Sequence, residues 1–144
     1  MNPDTLFQLG TIAAVAGWVA LLASPFVPRF SDAAAAFVIP GLLSVAYAGL
    51  VLAFWSGASG GFDTLDNVAL LFQSREMLLA GWLHYLAFDL FVGAWEVRAA
   101  RAERIPFLLV VPCLALTFMF GPAGFLVFLM IRAVRAQAAR PVSA

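Results

Sequence analysis

The stretch GWLHYLAFDLFVGAWEVRAAR, residues 81–101, is apolar enough to cross a bilayer, yet it carries His84 and Asp89 in its middle. A hydrocarbon core about 30 Å thick takes about 20 apolar residues in helical form. An ionised carboxylate at that depth costs about 2.5–3.5 kcal/mol on insertion scales, so such residues usually face a bundle interior. The stretch therefore predicts a spanning helix and, in the same residues, neighbours that cover it.

The rest of the chain has the composition such neighbours require. Of 144 residues 64% are hydrophobic and only 11% are charged, with a mean hydropathy of +0.98. A soluble domain carries about 25% charged residues, so the composition reads as an integral membrane protein. All eight basic residues are arginine and the formal net charge is zero, which leaves no electrostatic footprint for nucleic acid. The single cysteine, Cys113, lies in an apolar run; a buried thiol acting as a small hydrophobe is the expected role.

Four apolar runs predict an all-α integral membrane bundle of four transmembrane helices, one membrane domain over residues 1–144. The spans fall at about 6–26, 33–55, 77–97 and 106–132, with a loop over 56–76. The first lacks the basic flank of a signal peptide and is read as a mature helix. Pro25 and Pro28 end it, and Ser31 or Asp32 is expected to cap the second. Pro40, Pro112 and Pro122 predict kinks, since a membrane helix tolerates proline where neighbours satisfy the freed carbonyl; Pro122 in particular should bend the fourth helix near Phe118. The second half of the loop places Leu65, Val68, Leu71 and Phe72 at helical spacing, which fits a short interfacial helix or an ordered loop. Ala13 and Gly17 permit close helix approach, and self-association as a homo-oligomer is left open. Four spans would put Arg75, Arg132, Arg135 and Arg140 on one side and Arg29, Arg98, Arg101 and Arg104 on the other, a balance that sets no orientation.

At 100° per residue, Trp82, Tyr85, Asp89 and Glu96 share one face of the third helix, and His84 points about 140° from Asp89. The axial separation of His84 and Asp89 is roughly 7.5 Å. Asp89 is expected to turn inward against the second or fourth helix, either as a protonatable group lining a pocket or as a hydrogen-bonding post for Tyr47, Thr117 or an arginine. A metal site would need Asp89 or Glu96 to meet His84 from another angle, and none is predicted. Glu96 precedes the run Arg98, Arg101, Glu103, Arg104, which reads as a solvated edge with Glu96 paired to an arginine. Trp18, Trp55, Trp82 and Trp95 read as interface anchors. Phe88, Phe91, Phe118 and Phe120 lie deeper and could line a pocket for a long apolar ligand. No Walker motif, nucleophile elbow or Ser-His-Asp arrangement is present.

The motifs Trp82-x-His84, Asp89-Leu90-Phe91, Pro112-Cys113-Leu114 and Phe120-Gly121-Pro122-x-Gly124, with Arg132 beyond, resemble the small membrane family of the plant abscisic-acid-deficiency protein, the neoxanthin synthase-like family. The likeness covers the C-terminal half in sequence and the N-terminal half in hydrophobic pattern. It implies conversion of an epoxy-carotenoid, violaxanthin, to allenic neoxanthin, an isomerisation without a redox cofactor. That chemistry needs an acid for the epoxide oxygen and a base for a polyene carbon. His84 and Asp89 are the expected catalytic pair with Glu96 in reserve, and Trp82, Tyr85, Phe88, Phe118, Phe120 and Gly121 the expected substrate-binding residues. The absence of a plastid transit segment points to a bacterial member in the inner membrane. A carotenoid- or lipid-binding protein without catalysis is one rival. A small proton or ion transporter is another, disfavoured because the other helices offer only Thr11, Ser44, Tyr47 and Thr117 as polar lining.

Overall fold

A computed structural model describes residues 2–138; Arg140 lies outside the described residues. Six helices follow one another: α1 Pro3–Leu22, α2 Pro28–Gly57, α3 Leu65–Leu71, α4 Arg75–Ala102, α5 Phe107–Phe120 and α6 Pro122–Ala138. Three of them, α1, α2 and α4, are long and apolar enough to cross a membrane. The expected fourth span is instead two shorter helices.

Local chemistry sets these boundaries. The Asn2 side chain accepts from Asp4 N at 3.1 Å, and Pro3 takes the first position of α1, where no N–H is needed. Pro28 does the same for α2, so the second helix begins before Ser31 and Asp32 and neither caps it. Within α2 a π-helical turn, Ala34–Val38, precedes Pro40. Widening the helix there relieves the clash of the proline ring with the preceding turn. Thr64 caps α3 by accepting from Asn67 N at 3.1 Å, which resolves the second half of the loop as a short helix. Ser74 caps α4.

The decisive turn is at Gly121. This residue takes φ +43°, ψ −96°, a conformation costly for any residue with a side chain. Pro122 then opens α6. Were α5 and α6 one helix, Arg132 would lie about 38 Å from Phe107 at 1.5 Å per residue. Instead Arg132 Nε donates to Glu103 Oε2 at 2.9 Å, beside the start of α5. The contacts along α4 run in order. Thr117 meets Glu96 and Gly121 meets Asp89; then Phe125 and Phe128 pack on Trp95 and Arg132 reaches Glu103. A Cβ on Gly124 would collide with Thr117 and the Cys113 carbonyl, so the two helices are closely apposed. The chain descends along α5 to the middle of α4 and returns along α6. Pro122 starts a new antiparallel helix in place of the kink expected near Phe118.

This re-entrant hairpin corrects the topology. Asp4 pairs with Arg75 at 2.5 Å and Asp32 with Arg101 at 2.8 Å, fixing which helix ends share a side. Arg29, Arg98, Arg101, Arg104, Arg132 and Arg135 lie at one end of the described molecule, and Arg75 stands at the other with Asp4, Asp63, Asp66 and Glu76. The even division of arginines expected from four spans does not hold.

α4 is the central helix, with half of its apolar window buried against 33% for α1 and 11% for α2. Leu83, Leu86 and Ala87 pack with Ala14 of α1 and Leu43 of α2. Leu90, Ala94 and Val97 pack with Trp18 and Leu21 of α1 and with Val110, Cys113, Leu114 and Phe128 of the hairpin. Trp18 is thus a core residue, not an interface anchor. Gly17 allows the close approach of α1, because a Cβ there would collide with Leu90.

Candidate functional site

The polar face of α4 meets the hairpin at its tip. Asp89 is half-buried and its Oδ2 has no hydrogen-bond partner. Gly121 lets the turn sit directly on this carboxylate: an added Cβ would lie 2.8 Å from Oδ1 and 3.0 Å from Oδ2. One helical turn before Asp89, Tyr85 donates its O–H to Phe118 O at 3.1 Å. That carbonyl belongs to the last turn of α5 and has no partner within its own helix. Tyr85 therefore anchors the hairpin tip to α4.

Below the tip, Trp18, Trp82, Tyr85, Asp89 and Phe118, with Thr11 and Ala14, line a cavity of about 270 Å³. Trp82 Nε1 donates to Thr11 Oγ1 at 3.2 Å, fixing the indole across the seam between α1 and α4. Trp18 meets Phe118 edge-on at 5.5 Å between centroids. The lining is apolar and aromatic apart from Tyr85, Thr11 and Asp89. Thr11 and Trp18 were not among the expected binding residues; they lie on α1, whose even hydrophobicity does not mark one face.

Glu96 lies two turns beyond Asp89 on the same face and is fully buried. Thr117 Oγ1 donates to Glu96 Oε1 at 2.9 Å, and Oε2 has no partner. The expectation of a solvated Glu96 paired to an arginine is corrected. The hairpin folds over Glu96, and the ion pairs among the described residues join Arg75 to Asp4, Arg101 to Asp32 and Arg132 to Glu103. The seven-residue spacing from Asp89 and the lone threonine in the run 106–132 were the available signal for this pair.

His84 faces elsewhere. Its ring stacks on Phe88 at 4.6 Å and tilts against Tyr47 at 5.6 Å. It lines a separate cavity of about 330 Å³ with Tyr47, Trp55, Phe62 and Phe72. Phe88 lines a further one, of about 290 Å³, against Phe37 and Pro40. Phe120 stands exposed at the hairpin tip. The fold thus brings Trp82, Tyr85, Asp89, Phe118 and Gly121 together with Glu96 behind them, and it holds His84 and Phe88 apart. Among the described residues, no three His, Cys, Asp or Glu side chains converge as metal ligands would.

The profile of the family described as ABA DEFICIENT 4-like matches residues 5–128, and the chain belongs to that family. No curated protein and no solved structure matches it.

Proposed function

We propose that this member of the ABA DEFICIENT 4-like family seats one end of a carotenoid or related isoprenoid in the Asp89 cavity and isomerises it by acid–base chemistry. The observation that carries this reading is the unpartnered Asp89 oxygen, placed midway along the central membrane helix against an aromatic, otherwise apolar cavity. Membrane-embedded ionisable groups that are not spent on a partner are characteristic of functional sites. At about 270 Å³ the cavity falls below the roughly 300–1,000 Å³ of pockets that enclose a whole ligand, which suits one end group of a long molecule.

In the isomerisation of an epoxy-carotenoid, the carbon–oxygen bond on the polyene side breaks and the oxygen gains a proton to become a hydroxyl. A neighbouring vinylic C–H loses its proton, and that electron pair completes the allene. Oxidation state is unchanged overall. Asp89 is suited to take the carbon-bound proton, and the Tyr85 O–H, one turn away in the same cavity, to supply the other. His84, in a different cavity, is not needed for this pairing. Glu96 lies too deep under the hairpin to touch the ligand and serves as a positioning residue through Thr117.

Binding without turnover is the second reading, favoured by the Tyr85 O–H already being donated to Phe118 O. Incubation of the reconstituted protein with an epoxy-carotenoid, followed by chromatography of the pigments, separates the two. Asp89→Asn should retain pigment and lose about 10²–10⁴-fold in turnover. Turnover near wild type in that variant would overturn the acid–base reading and leave a binding protein.

A further inference from the structure

The hairpin reaches only to Asp89, so the seam between α1 and α4 is uncovered from there to the Arg75 end. Phe7, Val15 and Leu78 are exposed along it. A second cavity, of about 460 Å³, lies on this seam and is lined by Pro3, Asp4, Phe7, Arg75, Leu78 and Trp82. Trp82 also lines the Asp89 cavity, so the two adjoin at its ring. Three rings follow one another along the seam: Phe7 is tilted against Trp82 at 5.6 Å and 31°, and Trp82 stacks on Tyr85 at 5.3 Å and 27°. A run of aromatic side chains suits contact with an apolar conjugated chain. The far end carries the Arg75–Asp4 ion pair, 2.5 Å long and exposed.

About 21 Å of helix separates Arg75 from Asp89 at 1.5 Å per residue, close to half of the roughly 40–45 Å bilayer with its headgroup regions. From these adjoining cavities we infer a one-leaflet groove in which a long isoprenoid lies across Trp82, with its reacting end at Asp89 and a terminal hydroxyl at Arg75 and Asp4. This rests on the proposed function, to which it adds a second subsite and a side of entry. The ion pair offers a hydroxyl both a donor and an acceptor. An anionic phospholipid headgroup is the poorer occupant: Arg75 is already paired, and Asp63, Asp66 and Glu76 add negative charge to that end. With Arg29, Arg98, Arg101, Arg104, Arg132 and Arg135 at the opposite end, the bias of arginine toward the cytoplasmic side puts the groove in the non-cytoplasmic leaflet.

The test uses full-length protein in phosphatidylcholine vesicles, with a dihydroxylated carotenoid and the hydrocarbon carotenoid lacking both hydroxyls as probes. Tryptophan quenching reports binding, and its reduction in Trp82→Phe assigns it to the groove. The hydroxylated pigment should bind about three- to tenfold tighter, the net worth of one hydrogen bond at an exposed site. The double variant Asp4→Ala/Arg75→Ala should abolish that preference while leaving hydrocarbon binding intact. Equal binding of both pigments to wild type, or a preference that survives the double variant, would overturn the subsite. Displacement of pigment by added phosphatidylglycerol would overturn it too, marking a phospholipid groove. Loss of turnover in Asp89→Asn without any hydroxyl preference would spare the proposed chemistry and sink only the groove; preference without turnover would do the reverse. For the side of entry, Ser59→Cys and Ala136→Cys are made separately in a Cys113→Ala background. An impermeant maleimide should label position 59 in intact cells and position 136 only after lysis; the opposite pattern would overturn the leaflet assignment.

Discussion

Replacing Gly121 with alanine tests the hairpin at its most constrained point. The residue holds φ +43°, ψ −96°, a region that costs a non-glycine residue about 1–3 kcal/mol. The new methyl would also stand 2.8 and 3.0 Å from the two Asp89 oxygens, so the carboxylate or the turn must move. Against a total stability of about 5–15 kcal/mol, a loss of about 2–3 kcal/mol is expected from the conformational cost and this overlap together. Gly49 is the internal comparison. It lies inside α2 with nothing within 4 Å of an added Cβ, and Gly49→Ala should gain up to about 1 kcal/mol. Unfolding in mixed micelles of rising sodium dodecyl sulfate, followed by circular dichroism, measures both. A Gly121→Ala/Asp89→Ala double variant removes the overlap and should lose less than the sum of the single changes. If Gly121→Ala is as stable as wild type, the chain does not reverse at this residue and the hairpin is wrong.

Other measurements bear on neighbouring claims. Paired cysteines at positions 103 and 132, in a Cys113→Ala background, should be bridged by a short bifunctional maleimide whose reach matches an arginine and a glutamate in contact; a continuous fourth helix would hold them about 38 Å or more apart and give no bridge. The Arg132 guanidinium holds the Glu103 carboxyl below its ordinary 4.5. Its contribution is therefore present above that value and lost as pH falls through the lower folded one. Stability should decline in that acid window in wild type, and Glu103→Gln should flatten the decline. Thr117→Val leaves Glu96 without its donor and should cost about 1–3 kcal/mol, measured by the same detergent titration; no loss would deny the buried bond a structural role. His84→Gln should leave epoxy-carotenoid turnover near wild type, and a loss comparable with that of Asp89→Asn would restore the His84–Asp89 pairing as the better mechanism.

Much of this site was legible in the helical period. Tyr85, Asp89 and Glu96 fall on one face of α4 and His84 on another, and the cost of a carboxylate in lipid is enough to turn Asp89 inward. The hairpin was not legible. Hydropathy sums the apolar residues of 106–132 without regard to direction, and so cannot tell one traverse from a descent and return. Pro122 is equally at home after a kink or at the first position of a new helix. Only the conformation of Gly121 decides, and its glycine identity is compatible with both. Glu96 misled for a related reason. Its neighbours Arg98 and Arg101 suggest the membrane edge, whereas the returning helix supplies a wall that no local pattern reveals.

The hairpin also bears on how the protein is made. A fourth traverse would carry Arg132 and Arg135 across the bilayer; a hairpin leaves them on the side where α4 ends. Its insertion can therefore follow the three spans without translocating charge. The turn at Gly121 would meet hydrocarbon with an unpaired carbonyl until it docks, because Phe118 O accepts from the Tyr85 O–H of α4, and a bare backbone in lipid costs several kcal/mol per group. Docking onto α4 thus pairs Phe118 O with Tyr85 and Glu96 Oε1 with Thr117 in one step, and seats the turn on Asp89. Biogenesis then has a natural last step, and a chain that stalls before it presents two carboxylates to the membrane, a ready mark for membrane proteases.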